Sequence, residues 1–183
     1  MNSIEIEAIK NTIRAIPDFP EKGILFRDIT PILEDPKLIK KVLDHLTDEY
    51  SRRNIDALAC IESRGFIFGV PVALALGVPI ILIRKAGKLP WRTHSAAYSL
   101  EYGEAILEMH TDSIKKNDRI LIIDDLLATG GTAEAAVNLV EKAEGVVVGL
   151  SFVIELIDLK GRKRLKERTA LQRVIMSSIR RTG

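Results

Sequence analysis

The chain has 183 residues, 46% of them hydrophobic and 28% charged, and its 27 basic and 25 acidic side chains leave a net charge of +2. This length fits one α/β domain, and the balanced charge excludes a polybasic binder of nucleic acid or membranes. The only cysteine, Cys60, excludes an internal disulfide and favours a reducing compartment. The first residues alternate apolar and charged types and are not those of a secretory signal. We therefore predict a soluble, cytoplasmic protein.

The first 34 residues are predicted to form a helix followed by a loop-rich segment. Apolar residues at helical spacing run to residue 16, and Pro17 ends the helix. The segment after it contains too many breakers for a long element, so we predict a loop with a short strand at residues 24–26. Asp35 and Pro36 are typical of an N-cap and a first helical position, and they predict a helix with one apolar face.

Strands and helices alternate through the rest of the chain. Four apolar runs are typical of buried strands, at residues 55–61, 78–85, 118–125 and 146–156. A helix that ends at Gly77 is predicted between the first two, and another helix between the last two. Residues 86–97 are predicted to be an exposed loop, and the alternating stretches after it indicate a hairpin. This order predicts an α/β fold with a mostly parallel sheet covered on both faces.

The segment "DDLLATGGT", residues 124–132, joins a predicted strand to a predicted helix. Ligands of such folds bind beyond the carboxyl ends of the strands, where this segment lies. Backbone N–H groups at the helix start, two threonine hydroxyls and two glycines make a cradle for one phosphate group. Asp124 and Asp125 would repel that phosphate but accept hydrogen bonds from ribose hydroxyls. We predict a sugar-phosphate site, and a solvated Asp pair before an ordinary helix is the alternative.

With the apolar residues before it, this segment resembles the phosphoribosyl-diphosphate signature of the type I phosphoribosyltransferases, in the version of the members that use adenine. Four other stretches agree with that family in order and spacing: "FPEKGILFRDITPIL", "ESRGFIFG", "RKAGKLP" and "YSLEYGEAILEMH". The resemblance covers about residues 17–160. It implies the type I phosphoribosyltransferase fold, an α/β fold in which helices flank a mostly parallel central sheet, with a small N-terminal hood and a flexible lid loop.

The resemblance also implies how one domain, residues 1–183, is divided. A helix and the hood extend to about residue 34, the core occupies about residues 35–160 with the lid near 85–105, and residues 161–183 form a tail. Two features depart from the family pattern. Trp91 stands where a small residue is usual, and the tail after about Arg168 is basic and partly apolar where a shorter, more aromatic segment is expected.

The activity that the resemblance implies is transfer of the 5-phosphoribosyl group of phosphoribosyl diphosphate to N9 of adenine, giving AMP and pyrophosphate in purine salvage. Asp124 and Asp125 would hold the ribose hydroxyls and stabilise a transition state with oxocarbenium character. Five residues of the cradle would hold the 5′-phosphate: Ala128, Thr129, Gly130, Gly131 and Thr132.

A second group of residues is implied for the leaving pyrophosphate and the proton of the base. Ser63, Arg64 and Gly65 resemble the family's pyrophosphate loop, and Arg84 and Lys88 would add positive charge. Glu101 matches the acid that the family places near the purine, where it would assist loss of the N9 proton. The alternative for residues 63–65 is an ordinary helix start, and that for the basic segment "RKAGKLP" is a solvated turn. The alternative for Glu101 is a glutamate at the edge of a hairpin. Arg64, Lys88, Glu101, Asp124 and Asp125 are the implied catalytic residues.

Adenine itself would bind between the hood and the cradle. The resemblance implies that the main chain near Leu25 and Arg27 reads the exocyclic amine and ring nitrogens. Phe26 would stack on the base, and Leu126 would form the opposite wall. A backbone carbonyl that accepts from the 6-amino group disfavours hypoxanthine, whose oxo group leaves that acceptor unpaired. The alternative for Phe26 is a core aromatic residue under a loop.

His45, His94 and His110 have no paired metal spacing, so no protein-bound metal is predicted. Mg²⁺ is expected as a cofactor carried by phosphoribosyl diphosphate, with few or no protein ligands. The resemblance implies a homodimer without nucleic-acid or membrane partners. Alternative functions are a phosphoribosyltransferase for another base and, less favoured because no helix-turn-helix extension is present, a regulator that senses phosphoribosyl diphosphate.

Overall fold

The computed structural model describes residues 1–99, 104–165 and 172–177. Its strands are β1 Arg14–Pro17, β2 Leu25–Asp28, β3 Ala57–Ile61, β4 Ile80–Lys85, β5 Thr93–Ser99, β6 Glu104–His110, β7 Arg119–Leu127, β8 Val146–Glu155 and β9 Gln172–Ser177. Its α-helices are α1 Ser3–Thr12, α2 Thr30–Glu34, α3 Pro36–Tyr50, α4 Glu62–Leu76, α5 Gly131–Lys142 and α6 Gly161–Leu165. A 3-10 turn, Ile157–Leu159, precedes α6.

Seven strands form one sheet in the order β5-β6-β4-β3-β7-β8-β9. The five strands from β4 to β9 in that order are parallel to one another, and β6 and β5 add an antiparallel hairpin at the edge. β1 and β2 form a separate antiparallel ribbon. The mostly parallel sheet and the hairpin predicted from the sequence are therefore confirmed. In the described part of the chain, no helix is long and apolar enough to cross a membrane.

Apolar side chains on both faces of the central strands explain why helices cover the sheet on two sides. In β3 every residue is buried, and successive side chains point to opposite faces. Ala59 packs in the core that also contains residues of α5, whereas Leu58 and Cys60 pack in the core that contains residues of α1 to α4. Burial raises the pKa of the Cys60 thiol to about 12, which suits an inert core cysteine.

The predicted helix boundaries with a capping residue are confirmed. The Asp35 carboxylate accepts hydrogen bonds from the N–H groups of Lys37 (2.8 Å) and Leu38 (3.3 Å), and Pro36 is the first residue of α3. Gly77 ends α4 in the left-handed conformation, at φ 70°.

Boundaries that depend on distant partners differ from the prediction. The first helix ends at Thr12 rather than near residue 16, because β1 pairs with β2 and Arg14 forms an ion pair with Asp28 at 3.3 Å. The predicted loop 86–97 becomes strand from Thr93 onward, because β5 pairs with β6. Trp91 remains exposed before that strand.

The tail contains the largest unexpected element. β9 pairs in parallel with β8 and adds an edge strand to the sheet. Its pairing joins Leu150 to Gln172 and Glu155 to Ser177. The sequence pattern there predicts no strand, because an edge strand depends on its neighbour more than on its own residues.

Candidate active site

A cavity of about 520 Å³ opens where β3 and β7 end and where α4 and α5 begin. This position agrees with the rule that ligands of parallel sheets bind beyond the carboxyl ends of the strands. The residues that line it are Ile61, Glu62, Ser63, Arg64, Lys85, Tyr98, Asp124, Asp125, Leu126, Leu127, Ala128, Thr129, Gly130, Thr132, Ala133 and Phe152. Most of the predicted sugar-phosphate and pyrophosphate residues thus share one cavity.

The acid pair lies at the end of β7. Asp124 is partly exposed, and Asp125 is buried with 3% of its surface exposed. The backbone N–H of Asp125 donates to Asp124 Oδ1 at 2.8 Å. Burial raises the pKa of both carboxyl groups, and the negative charge of Asp125 raises that of Asp124 further. Two neighbouring carboxyl groups with raised pKa values at the edge of a cavity are typical of a functional site.

Arg64 partly neutralises this acid pair. Its Nε lies 2.8 Å from Asp125 Oδ2, at an ion-pair distance but without the alignment of a hydrogen bond. The guanidinium carbon also lies 6.0 Å from the centre of the Phe26 ring. Because 44% of the Arg64 side chain is exposed, its remaining N–H groups can reach a bound anion. Arg64 therefore connects the predicted hood with the acid pair.

The phosphate loop, residues 128–132, connects β7 to α5. Gly130 takes the position before the helix with φ 85°, a conformation that favours glycine. No side chain in the described ranges caps the start of α5, so its first backbone N–H groups have no side-chain acceptor there. Thr129 is exposed and Thr132 is partly buried, and both line the cavity. Gly131 is buried behind them.

The start of α4 packs tightly against the acid pair. A Cβ atom on Gly65 would lie 3.0 Å from the carbonyl oxygen of Ile123 and 3.3 Å from Asp124 Oδ1. A side chain there would push the helix start away from the carboxylates. Gly65 does not line the cavity but allows Ser63 and Arg64 to lie beside it.

Glu62 also lines the cavity, although its sequence context predicts no role for it. Its φ of 46° is unusual for a residue other than glycine, and such strain concentrates at functional sites. Its Oε1 accepts a hydrogen bond from the N–H of Lys85 and lies 3.9 Å from Arg84 Nε. The one available sequence signal was an acid directly before the predicted pyrophosphate loop.

The predicted basic residues near β4 are arranged differently from the expectation. Lys85 lines the cavity, although the sequence favoured Arg84 and Lys88. Arg84 Nη1 lies 3.5 Å from the carbonyl oxygen of Lys88, so these two residues contact each other outside the cavity lining. The reason is that side chains alternate along β4, and neighbouring residues face opposite sides.

The residues predicted for the base lie partly at the cavity. Leu126 lines it, whereas Leu25, Phe26 and Arg27 lie on β2 and do not. Phe26 reaches the site through its contact with Arg64 and packs edge-to-face on Phe19, with ring centres 5.1 Å apart. Tyr98 and Phe152 also line the cavity, and the sequence predicts no site role for either. Tyr98 opens the stretch "YSLEYGEAILEMH", in which only Glu101 is implied as a site residue, and Phe152 lies on β8, outside the quoted stretches.

Two further expectations concern groups outside this cavity lining. Glu101, expected near the base, lies outside the described residues. In the described ranges, no three or more His, Cys, Asp or Glu side chains are grouped in a way that suits a metal ion. His45 Nδ1 instead lies 3.2 Å from the N-terminal amino group.

Comparison with known proteins gives concordant matches. Residues 30–178 match the model of the phosphoribosyl transferase domain. An adenine phosphoribosyltransferase of Cytophaga hutchinsonii is 53% identical over 159 residues, which are 87% of this chain and 88% of that relative. The crystal structure of an adenine phosphoribosyltransferase from Rhodothermus marinus superposes with a TM-score of 0.91 at 46% identity, covering 97% of this chain and all 100% of the other.

A third match was crystallised with ligands. The adenine phosphoribosyltransferase of Saccharomyces cerevisiae, in complex with adenine and an imino-altritol bisphosphate, has a TM-score of 0.87 and 39% identity. The alignment covers 96% of this chain and 100% of the yeast chain.

Proposed function

Because this chain belongs to the phosphoribosyl transferase domain family, we propose that its cavity transfers the 5-phosphoribosyl group of phosphoribosyl diphosphate to N9 of adenine. The products are AMP and pyrophosphate, and the enzyme is an adenine phosphoribosyltransferase of purine salvage. The observation that carries this proposal is the cavity in which an acid pair, an exposed arginine and a phosphate loop meet. Relatives named for this activity match almost the whole chain.

The sugar phosphate binds at the end of β7. The N–H groups of the phosphate loop and the hydroxyls of Thr129 and Thr132 hold the 5′-phosphate, with the dipole of α5 behind it. Asp124 and Asp125 accept hydrogen bonds from the ribose hydroxyls. These donors favour the ionised carboxylates and offset the cost of burying them.

The pyrophosphate binds at the start of α4. Ser63 and Arg64 line that part of the cavity, and Gly65 allows the close approach of α4 to β7. Binding of the diphosphate draws the Arg64 guanidinium from Asp125 toward the more highly charged ligand. Asp125 is then available to the ribose. Arg84 and Lys88 add positive charge when the lid closes.

The reaction breaks the bond between C1′ and the diphosphate oxygen, and the electron pair leaves with the pyrophosphate. The ribose then carries partial positive charge, which Asp124 and Asp125 stabilise from one side. N9 of adenine bonds to C1′ and loses its proton, and Glu101 assists that transfer. Arg64 stabilises the charge that grows on the leaving group.

The base binds between Leu126 and the hood. Leu126 lines the cavity, and Phe26 lies across Arg64 from the acid pair. The apolar ring of Phe26 stacks on adenine, and the main chain of Leu25 and Arg27 reads its polar edge. A backbone acceptor for the 6-amino group selects adenine over 6-oxopurines.

The lid is the segment near residues 85–105. Its first turn is tied to the sheet, since the N–H of Gly87 donates to Glu108 Oε2 at 2.9 Å. Closure over both substrates excludes water and prevents hydrolysis of phosphoribosyl diphosphate. Trp91 is exposed on this segment and is available to pack when the lid closes.

Mg²⁺ fits the site as a cofactor carried by the diphosphate. Mg²⁺ keeps several waters and is commonly bound by one or two carboxylates together with substrate phosphates. Asp124 and Asp125 are carboxylates of that kind at the cavity. Bound Mg²⁺ would neutralise part of the negative charge of the diphosphate.

A homodimer is supported by an apolar stripe on α4. Ile67, Val70 and Leu74 follow helical spacing and are exposed. Ile80 and Leu82 of the next strand are also exposed. Large exposed apolar patches mark contact surfaces, and a second copy of the chain covers this one. The free, buried Cys60 is compatible with the cytoplasm.

The test is formation of AMP and pyrophosphate in equal amounts from adenine and Mg²⁺–phosphoribosyl diphosphate, measured by chromatography and a coupled pyrophosphate assay. We expect turnover by the wild-type protein. A variant with both Asp124→Asn and Asp125→Asn should have a kcat at least about 10²-fold lower. Absence of AMP from the folded wild-type protein would overturn the proposal.

A further inference from the structure

The backbone of Gly161, the first residue of α6, lies directly against the phosphate loop. A Cβ atom on Gly161 would lie 2.2 Å from the carbonyl oxygen of Ala128 and 3.0 Å from the backbone nitrogen of Gly130. In the other direction, a Cβ atom on Gly130 would lie 2.9 Å from the carbonyl oxygen of Gly161. Neither side of this contact has room for a methyl group.

Contacts with two other elements hold α6 in this position. Arg162 forms a forked ion pair with the buried Glu155 at the end of β8, with Nη2 to Oε2 at 2.8 Å and Nε to Oε1 at 3.2 Å. Arg164 Nε donates to Glu134 Oε2 in the first turn of α5 at 2.7 Å. Leu165 is fully buried in the core that contains α5. The start of α6 is thus fixed relative to α5, which follows the phosphate loop, and to β8, which pairs with β7 in the sheet.

We propose that Gly161 is a positioning residue for phosphate binding. The backbone of α6 contacts the backbone of the phosphate loop directly at Gly161, and this contact fixes the position of the loop. The inference deepens the proposed function and rests on it. Gly161 does not line the cavity. Its effect on a ligand is exerted through Ala128 and Gly130, whose backbone it contacts.

The contact explains why a methyl group at position 161 matters for binding. Atoms without a bond between them separate to about 3.5 Å, so the loop or α6 must move by about 1 Å to accept a Cβ at 2.2 Å. The anchors through Glu155 and Glu134 resist movement of α6, and the loop therefore moves toward the cavity. A displacement of about 1 Å costs about 10²-fold in rate when it misplaces a reacting group.

The first test compares Gly161→Ala with the wild-type protein by calorimetric titration with AMP and with adenosine, which lacks the 5′-phosphate. We expect the Kd for AMP to rise about tenfold, as for one lost charge-assisted hydrogen bond, while the Kd for adenosine stays the same. The kcat/KM for phosphoribosyl diphosphate should fall about 10²-fold. Unchanged AMP affinity, or an equal loss for both ligands, would overturn the inference.

Gly69→Ala is the matched control. A Cβ on Gly69 would lie 2.1 Å from Cys60 Sγ, a contact as tight as that of Gly161 but away from the phosphate loop. Its thermal midpoint should fall, with the Kd for AMP unchanged. If Gly69→Ala weakens AMP binding as much as Gly161→Ala does, a general loss of stability explains the result and the inference fails.

A second pair of variants applies if Gly161→Ala does not fold. Arg164→Gln removes the anchor to Glu134, and Lys163→Gln removes the same charge from an exposed neighbour on the same helix. We expect Arg164→Gln to raise the Kd for AMP about threefold, within the range of an exposed ion pair, and Lys163→Gln to leave it unchanged. An equal Kd for AMP in Arg164→Gln and Lys163→Gln would overturn the inference. Failure of the wild-type protein to bind AMP would instead count against the proposed function.

Discussion

Asp125→Asn is expected to leave the fold as stable as before, or more stable, while it weakens binding of phosphoribosyl diphosphate. Asn keeps the size of the side chain and removes its charge. Burial raises the pKa of Asp125, so its ionised form lowers the stability of the ligand-free protein. Arg64, its ion-pair partner, is 44% exposed and is readily solvated when released. The free energy of unfolding should therefore change by no more than about 1 kcal/mol.

The loss in binding follows from the hydrogen bonds that a ribose makes to the ionised carboxylate. Hydrogen bonds to a charged group contribute about 1.5–3 kcal/mol, which corresponds to about 10- to 100-fold in affinity. Adenine does not contact Asp125 in the proposed arrangement, so its own affinity should stay the same. A substitution that maintains or raises the stability of the fold but lowers the affinity for one ligand is characteristic of a binding residue.

Titration calorimetry measures the affinities for Mg²⁺–phosphoribosyl diphosphate and for adenine. Urea unfolding measures the free energy of unfolding. Asp56→Asn is the matched control, because it removes the same charge at the amino ends of β3 and β7, where Asp56 accepts from the N–H of Arg119 at 2.7 Å. It should not change either affinity. Equal losses for both ligands in Asp125→Asn, or destabilisation by several kcal/mol, would refute the reasoning.

Three more predictions follow from the site and the surface. Burial raises the pKa of Asp124, so the folded state loses stability as pH rises above the ordinary pKa of an aspartate, about 4, toward this raised pKa. Asp124→Asn should flatten that decline in the unfolding free energy above about pH 4, and an unchanged slope would contradict this. Glu101→Gln should lower kcat about 10²-fold with little change in KM, and unchanged turnover would exclude Glu101 from the mechanism. Leu74→Glu should convert a dimer to monomers in light scattering, Val146→Glu at another exposed site should not, and a monomeric wild-type protein would contradict the dimer.

Features that depend on neighbouring residues were predictable from the sequence. Asp35 with Pro36, and Gly77, are local signals that cap a helix at its two ends. The acid pair and the phosphate loop are contiguous with β7 and α5, so a single segment of sequence contains most of the sugar-phosphate site. The apolar runs predicted buried strands correctly for β3, β7 and β8, which are covered on both faces. The prediction was wrong for one face of β4, where Ile80 and Leu82 are exposed.

Features that depend on distant residues were not predictable. The ribbon of β1 with β2, and the pairing of β9 with β8, depend on partners rather than on local propensity. The contact of Arg64 with Phe26 joins residues far apart in the chain. A glycine such as Gly161 gives no sequence signal that a helix start packs on a loop more than thirty residues earlier, and the positive φ of Glu62 is equally invisible.

The most direct measurement of the central claim is pyrophosphate release from Mg²⁺–phosphoribosyl diphosphate with a panel of adenine, hypoxanthine, guanine, xanthine, uracil and orotate. We expect release with adenine, and a kcat/KM for adenine at least about 10²-fold above that for any 6-oxopurine. Release with hypoxanthine or guanine but not with adenine would contradict it, and so would a folded protein that releases no pyrophosphate with adenine.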